Sequence, residues 1–529
     1  MIKEKKYDAS TVNRTLNKVT KSTSIVFFGT FLSSIIVLIG KILIIKNWTQ
    51  EDYGTFVLAL SIPSIIIALG TFSLKDAIVR NLAYSRGRYE LIKISEIIST
   101  SFIVYLLAGI IGSILLFLFS DFIAINIFKE PGLSTPFKIF AFALPFSKLV
   151  AFFATIFRGF DRVEPRIFFN EILKNSLFLL LIILAIYLNF EFIYIFYSFL
   201  ISLTIAFIAF SIFSIKKLEL KKKIKINRVK SVIFSDLLLF SLPLFGMAIV
   251  NIISKRVNIL MLGGMKGVGA VGLYGAVVPI ASFISFPLTT MTLIYLPIVS
   301  GLYSKKKYNE INRNFSILIK WISLLTLPIF IVFVFFSEEI ILLLFKQSYV
   351  VAANAFRLAC LSGLLINLLG LNNQNLIVIG STKTIFISFL IAGILNIVIN
   401  FFLIPQYAVF GAVTGTIISV LVAHLFMTVK VYKKMKIQPF SKNMLKTSCS
   451  FLLISVLIYL IIKDLPLNYS IYIVLPILIL IWLLFCLIML FSLIITRSVD
   501  IEDINMIESI EKKTGLKLGF LKKLFRKAL

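Results

Sequence analysis

Residues 236–262 read DLLLFSLPLFGMAIVNIISKRVNILML, an apolar stretch that carries two adjacent cations, Lys255 and Arg256, in its second half. About 20 apolar residues suffice for a helix to cross the hydrocarbon core of a bilayer. A charge at the centre of such a helix costs at least about 2.5–3.5 kcal/mol, so a cation there faces a wet cavity or a partner. Two consecutive helical residues point about 100° apart, so both cannot avoid lipid by facing one way. Asn251, Lys255 and Asn258 stand at i, i+4 and i+7 and form one polar stripe on this helix.

Similar runs recur along the chain, which is 59% hydrophobic and 15% charged. Fourteen membrane helices are expected, near residues 24–46, 54–74, 94–119, 138–157, 168–189, 191–215, 236–262, 270–299, 315–336, 353–379, 384–404, 408–429, 445–462 and 470–495. The fold class is therefore an all-α integral membrane protein. Of the 54 Lys and Arg residues, 43 fall in eight patches on alternate connections and on both tails. Short cytoplasmic loops retain such residues, so both termini are expected on the cytoplasmic side of a multi-pass plasma-membrane protein. The first apolar run lacks an A-x-A-like cleavage site and reads as a retained helix.

The net charge of +30 lies in short loops beside helices. Its expected partner is the anionic inner leaflet and not nucleic acid, for which no binding motif is present. Cys360, Cys449 and Cys486 lie in apolar segments without metal-ligand spacing, so no metal or cofactor is expected. His424 reads as a packing residue of the twelfth helix, with a proton-linked role as the other possibility. The external connections are too short for a folded domain or a catalytic loop, and no enzyme activity is expected.

An internal repeat has an offset of 221 residues. It pairs Tyr53-Gly54 with Tyr274-Gly275, Arg86 with Lys307, Gly159 with Gly380, Arg162 with Lys383 and Asn175 with Asn396. Six helices per copy give the two copies the same orientation, a parallel repeat found in transporters with a substrate site between the halves. The expected organisation is a basic N-terminal segment (1–23), an N-lobe (24–215), a basic linker (216–235), a C-lobe (236–429), two extra helices (445–495) and a basic tail (496–529). In that tail Leu516, Phe520 and Leu524 fall on one helical face, which reads either as an amphipathic helix on anionic lipid or as part of a basic tail that only enforces topology.

Five cations fall inside the apolar helices: Lys41, Lys148, Lys255, Arg256 and Arg357. No Asp or Glu is expected at comparable depth, so water or an anionic ligand must compensate these charges, which points to a substrate bearing phosphate or carboxylate; Arg offers phosphate a planar fork and Lys a point charge. Prolines 63, 145, 243, 279, 287, 297 and 328 lie within helices and permit kinks. The glycine cluster GGMKGVGAVGLYG (263–275) follows a helix and no strand, so it reads as flexible and not as a phosphate loop. Asn372, Asn373, Gln374, Asn375, Asn396 and Asn400 read as polar glue between helices.

WTQEDYGTF (48–56), VNILMLG (257–263), VGLYG (271–275) and LNIVINFFLIPQYAVFGAVTGTIIS (395–419) resemble, in order and placement, elements of polysaccharide flippases. These belong to the multidrug/oligosaccharidyl-lipid/polysaccharide (MOP) superfamily, and the resemblance covers roughly residues 20–495. It implies two six-helix lobes in a V that alternate between inward and outward openings, with the first and seventh helices lining a central cavity. It further implies a polyprenyl-(pyro)phosphate-linked glycan as substrate, with glycan synthesis or polymerisation proteins as possible associates. Other readings are a lipid II-type peptidoglycan precursor flippase and a multidrug or cation antiporter of the same superfamily. The chain departs from the family pattern in having Asn258 where Asp is common and Ala408 where Gly is common.

Overall fold

The computed structural model describes residues 9–70, 74–218, 231–438, 442–462 and 471–504, together with Glu508, Glu511, Gly519 and Lys522. The proposed amphipathic face of the tail (Leu516, Phe520, Leu524) and residues 219–230 of the linker lie outside the described residues. Among those described, the ordered elements are all helical. Twelve helices are long and apolar enough to cross a membrane. Two of the twelve are double. The helix Ser231–Ala281 is broken at Gly267, and Thr382–Met435 is broken at Ala408. Both breaks fall at junctions expected from the sequence.

The chain folds as two compact units, Met1–Gly272 and Leu273–Leu529. In the first unit, α1 (Ala9–Asn47) turns tightly into α2 (Gln50–Leu69), and α3 (Leu74–Gly87) and α4 (Leu91–Phe122) follow. Next come α5 (Ser134–Gly159), α6 (Lys174–Tyr187, entered through a π-helical segment), α7 (Ile193–Leu218) and the first part of α8 (Ser231–Ala281). The α1–α2 turn is held by a capping box. Thr49 Oγ1 accepts from Asp52 N–H, and Asp52 Oδ2 accepts from Thr49 N–H, each at 3.1 Å. Such caps contribute about 1 kcal/mol and explain the Thr-x-x-Asp of the quoted motif.

Lipid is as apolar as leucine, so helices in a membrane associate by van der Waals contact and hydrogen bonds. Phenylalanine provides much of that contact in the first unit, joining α5 to α7. Phe140 packs edge-on against Phe199 at 5.3 Å, Phe146 against Phe207 at 5.3 Å, and Phe157 stacks on Phe210 at 5.7 Å.

The glycine cluster proves to be a packing surface and not a flexible linker. Residues 263–272 are helical, with only Gly267 off the helical path at φ 79°. They lie backbone to backbone against the start of α2. A methyl on Gly54 would come 1.8 Å from Val268 O, and one on Gly272 would come 2.3 Å from Gln50 O. Gln50 Nε2 donates to Gly269 O at 3.0 Å across the same seam. Glycine is required here because only its backbone can approach so closely.

The second unit contains α9 (Phe286–Ser304), α10 (Tyr308–Phe335), α11 (Ser337–Leu344), α12 (Ala353–Leu369), α13 (Leu371–Val378), α14 (Thr382–Met435), α15 (Lys442–Ile462) and α16 (Ile471–Ile495). Its core gathers Tyr295, Phe315, Ile319, Leu371, Leu376 and Met427. The asparagines bridge helices: Asn367 Nδ2 donates to Thr326 Oγ1 and to Ile284 O, and Asn372 Nδ2 donates to Thr428 Oγ1 at 2.7 Å. Tyr295 O–H donates to Asn375 Oδ1 at 2.7 Å. The two parts of α14 fold back on each other, since a methyl on Gly415 would meet Asn400 Oδ1 at 2.1 Å. The reversal places Ala408 at φ 46°, a conformation that favours glycine.

Candidate functional site

The first unit brings together two of the five expected cations. Lys41 is partly buried on α1, between Gly40, which packs on Ile182 of α6, and the buried Ile44 and Ile45. The charge of Arg256 on α8 acts unfavourably on the Lys41 ammonium. Arg256 is itself half-buried, and no carboxylate among the described residues offsets either charge. The neighbouring Lys255 is exposed, whereas Asn258 is buried at 3% exposure. The polar stripe is thus divided between an open end and a packed end. The side chain of Asn251 lies outside the described part.

Lys148 and Arg357 have their donors engaged by the protein. Lys148 is 1% exposed, and its ammonium donates to the carbonyl of Ile67 in the last turn of α2. Arg357, in the second unit, binds Glu338 Oε1 at 3.0 Å, Asn354 Oδ1 at 2.7 Å and Val334 O at 3.2 Å. The acidic pair Glu338/Glu339 therefore includes a structural partner for Arg357. His424 is 7% exposed and stands edge-on to Phe389, and no protein group among the described residues reaches its Nδ1.

Three features escaped the sequence reading. Along the α1–α6 contact, Asn175 Nδ2 donates to Ser33 Oγ at 2.9 Å, and Ser33 Oγ donates to Glu171 O at 3.2 Å. Glu171 and Lys174 are coupled electrostatically there, and their i, i+3 spacing was the available signal. Glu96, in the second turn of α4, is buried at 8% exposure.

The largest departure is a buried charge cluster in the first half of α10. Lys320, at 2% exposure, lies 2.5 Å from Asp503 and 2.5 Å from Asp500. Trp321 Nε1 donates to Asp503 Oδ1 at 2.9 Å, and Arg313 grips Glu502 through two bonds of 2.8 and 2.7 Å. Those bonds hold the Glu502 carboxyl below the usual carboxylate range. Leu493, Val499 and Ile504 pack beneath on Trp321 and Leu324. Three acids in four residues of an otherwise basic tail were the sequence signal.

Chemically, the Arg256 guanidinium is a planar fork and the Lys41 ammonium a point donor, both groups that suit an oxyanion. Residues 19–303 match the family described as polysaccharide biosynthesis protein, and residues 243–402 match the MatE family. An uncharacterized membrane protein of Methanocaldococcus jannaschii is 23% identical over 433 residues, covering 77% of this chain and 83% of that protein. Among solved structures, the lipid II flippase MurJ in an inward closed conformation aligns with TM-score 0.68 and 21% identity, over 89% of this chain and 98% of that one. An inward-facing multidrug resistance MATE family transporter aligns with TM-score 0.66 and 14% identity, over 76% and 94%. A MOP superfamily transporter from Pyrococcus furiosus, described as having a binding pocket of reverse polarity, aligns with TM-score 0.53 and 16% identity over 79% and 96%. With more than half its length matched by one family, the chain belongs to the polysaccharide biosynthesis protein family, and it shares its fold with transporters of the MOP superfamily.

Proposed function

We propose that the protein translocates a lipid-(pyro)phosphate-linked oligosaccharide from the inner to the outer leaflet by alternating access, with both termini in the cytoplasm. The observation that carries this reading is that Lys41 and Arg256 sit partly buried in two apolar helices of the first unit, with no ion pair to a carboxylate among the described residues. A buried charge needs a partner, and a phosphate oxyanion supplies one while the polyprenyl tail stays in lipid. Lys255, at the exposed end of the stripe, meets the anion as it enters. Lys148 and Arg357 lie outside this core set because their donors are already engaged.

The membrane potential, negative inside, favours outward movement of an anion by about 2.3 kcal/mol per charge per 100 mV. A pyrophosphate crossing the whole field gains about twice that, so no deep acid is needed for drive. A cation antiporter would need such an acid beside its cargo, and the charge at this site has the opposite sign. Peptidoglycan precursor lipid II presents the same pyrophosphate to the same pair, so a substrate panel is what separates the two glycans.

The test is the double variant Lys41→Met/Arg256→Met, reconstituted in proteoliposomes with a fluorescent polyprenyl pyrophosphoryl sugar. Flipping is expected to fall to the protein-free rate while membrane insertion and melting temperature are kept. Flipping at the wild-type rate by this double variant would refute the phosphate site.

A further inference from the structure

We propose that Lys148 is a positioning residue for transport: it fixes the C-terminal end of α2 and does not touch substrate. The inference rests on the transport reading above. Its structural basis is a slot built around one lysine side chain.

The last carbonyls of a helix lack intrahelical partners and carry partial negative charge. At the end of α2, Gly70 N–H donates to Ile66 O at 2.9 Å, and the Ile67 carbonyl accepts from the Lys148 ammonium. The lysine reaches it across α4, where side chains are absent. A methyl on Gly109 would come 2.9 Å from Pro145 Cα and 3.3 Å from Lys148 Cβ. A methyl on Gly70 would lie 3.2 Å from the ammonium nitrogen. Three helices thus meet at small residues around a side chain that is 1% exposed.

The next helix links the pinned end to the cationic pair. On α3, Asp76 accepts from Arg158 at the end of α5 at 3.1 Å, and the Arg80 guanidinium lies 4.7 Å from the Phe240 ring centroid. Phe240 is on α8, the helix that carries Arg256. The angle at the end of α2 therefore passes through α3 to the helix bearing a proposed ligand. A neutral hydrogen-bond donor can hold a carbonyl, whereas a lysine that binds phosphate loses its charge-assisted bond when it is neutralised. That difference separates positioning from binding.

The experiment measures flipping rate against mole fraction of a fluorescent polyprenyl pyrophosphoryl-N-acetylglucosamine in proteoliposomes of the full chain. Lys148→Met is expected to lower the saturated rate at least 10-fold with the half-saturating fraction unchanged within 2-fold. Lys148→Gln is expected to recover most of the rate, and Arg256→Met to raise the half-saturating fraction. A rise in half-saturation for Lys148→Met or Lys148→Gln overturns the proposal by making Lys148 a ligand. Wild-type kinetics in Lys148→Met overturns it by leaving the residue no role. If Lys148→Met fails to insert, the half-saturation of Lys148→Gln decides alone. An unchanged half-saturation in Arg256→Met counts against the phosphate site and not against the pin.

Discussion

Replacing Gly54 by alanine tests whether the glycine cluster is a packing surface. The added methyl would sit 1.8 Å from Val268 O and 2.6 Å from its carbon, both backbone atoms that cannot rotate away. Real contacts of this kind do not fall below 3.0 Å, so the two segments must part by about 1.2 Å. Overpacking on that scale costs about 1–3 kcal/mol. Parting the seam also strains the Gln50–Gly269 hydrogen bond, worth about 0.5–1.5 kcal/mol. Against this, alanine gains about 1 kcal/mol over glycine in a helix. The net expectation is destabilisation by about 1–3 kcal/mol. Gly264 supplies the internal control, since a methyl there meets only Ile127 O at an ordinary 3.8 Å. Gly264→Ala should therefore be neutral or stabilising by up to about 1 kcal/mol. Equilibrium unfolding of both purified variants in mixed detergent micelles compares them directly. If Gly54→Ala and Gly264→Ala have equal stability, the close-approach argument is wrong.

Two further outcomes follow from the second unit. Lys320→Met leaves Asp500 and Asp503 facing each other in a buried site, which should cost about 3–5 kcal/mol. The double variant Lys320→Met/Asp503→Asn should regain much of that, and simple additivity in thermal unfolding would show that the groups are not coupled. Ala408→Gly relieves a non-glycine residue held at φ 46° and should raise stability by about 1 kcal/mol; an unchanged or lower melting temperature would argue that the turn carries no strain.

The helices and their breaks were legible because apolar length and turn residues are local signals. Lys41 and Arg256 were legible as cations set inside apolar helices. The partners of Lys148 and Lys320 were not. A backbone carbonyl carries no residue-type signature, so nothing in the sequence marks Ile67 as the acceptor for Lys148. Lys320 looked like one more member of a topogenic patch because its carboxylates lie about 180 residues away. The glycines at 263–272 were misread because flexibility and close approach require the same residue. Ala408 shows the converse, a turn whose geometry survives without its usual glycine.

The charge cluster on α10 also sets an order of assembly. A chain is made at about 5–20 residues per second, so about 10–35 s pass between synthesis of Lys320 and of Asp500 and Asp503. Throughout that interval the lysine has neither carboxylate. It enters its buried place only after the last membrane helix has left the ribosome. Closure of the second unit is therefore a late step of biogenesis, and a chain stalled before residue 500 would present to quality control a lysine that the finished protein hides.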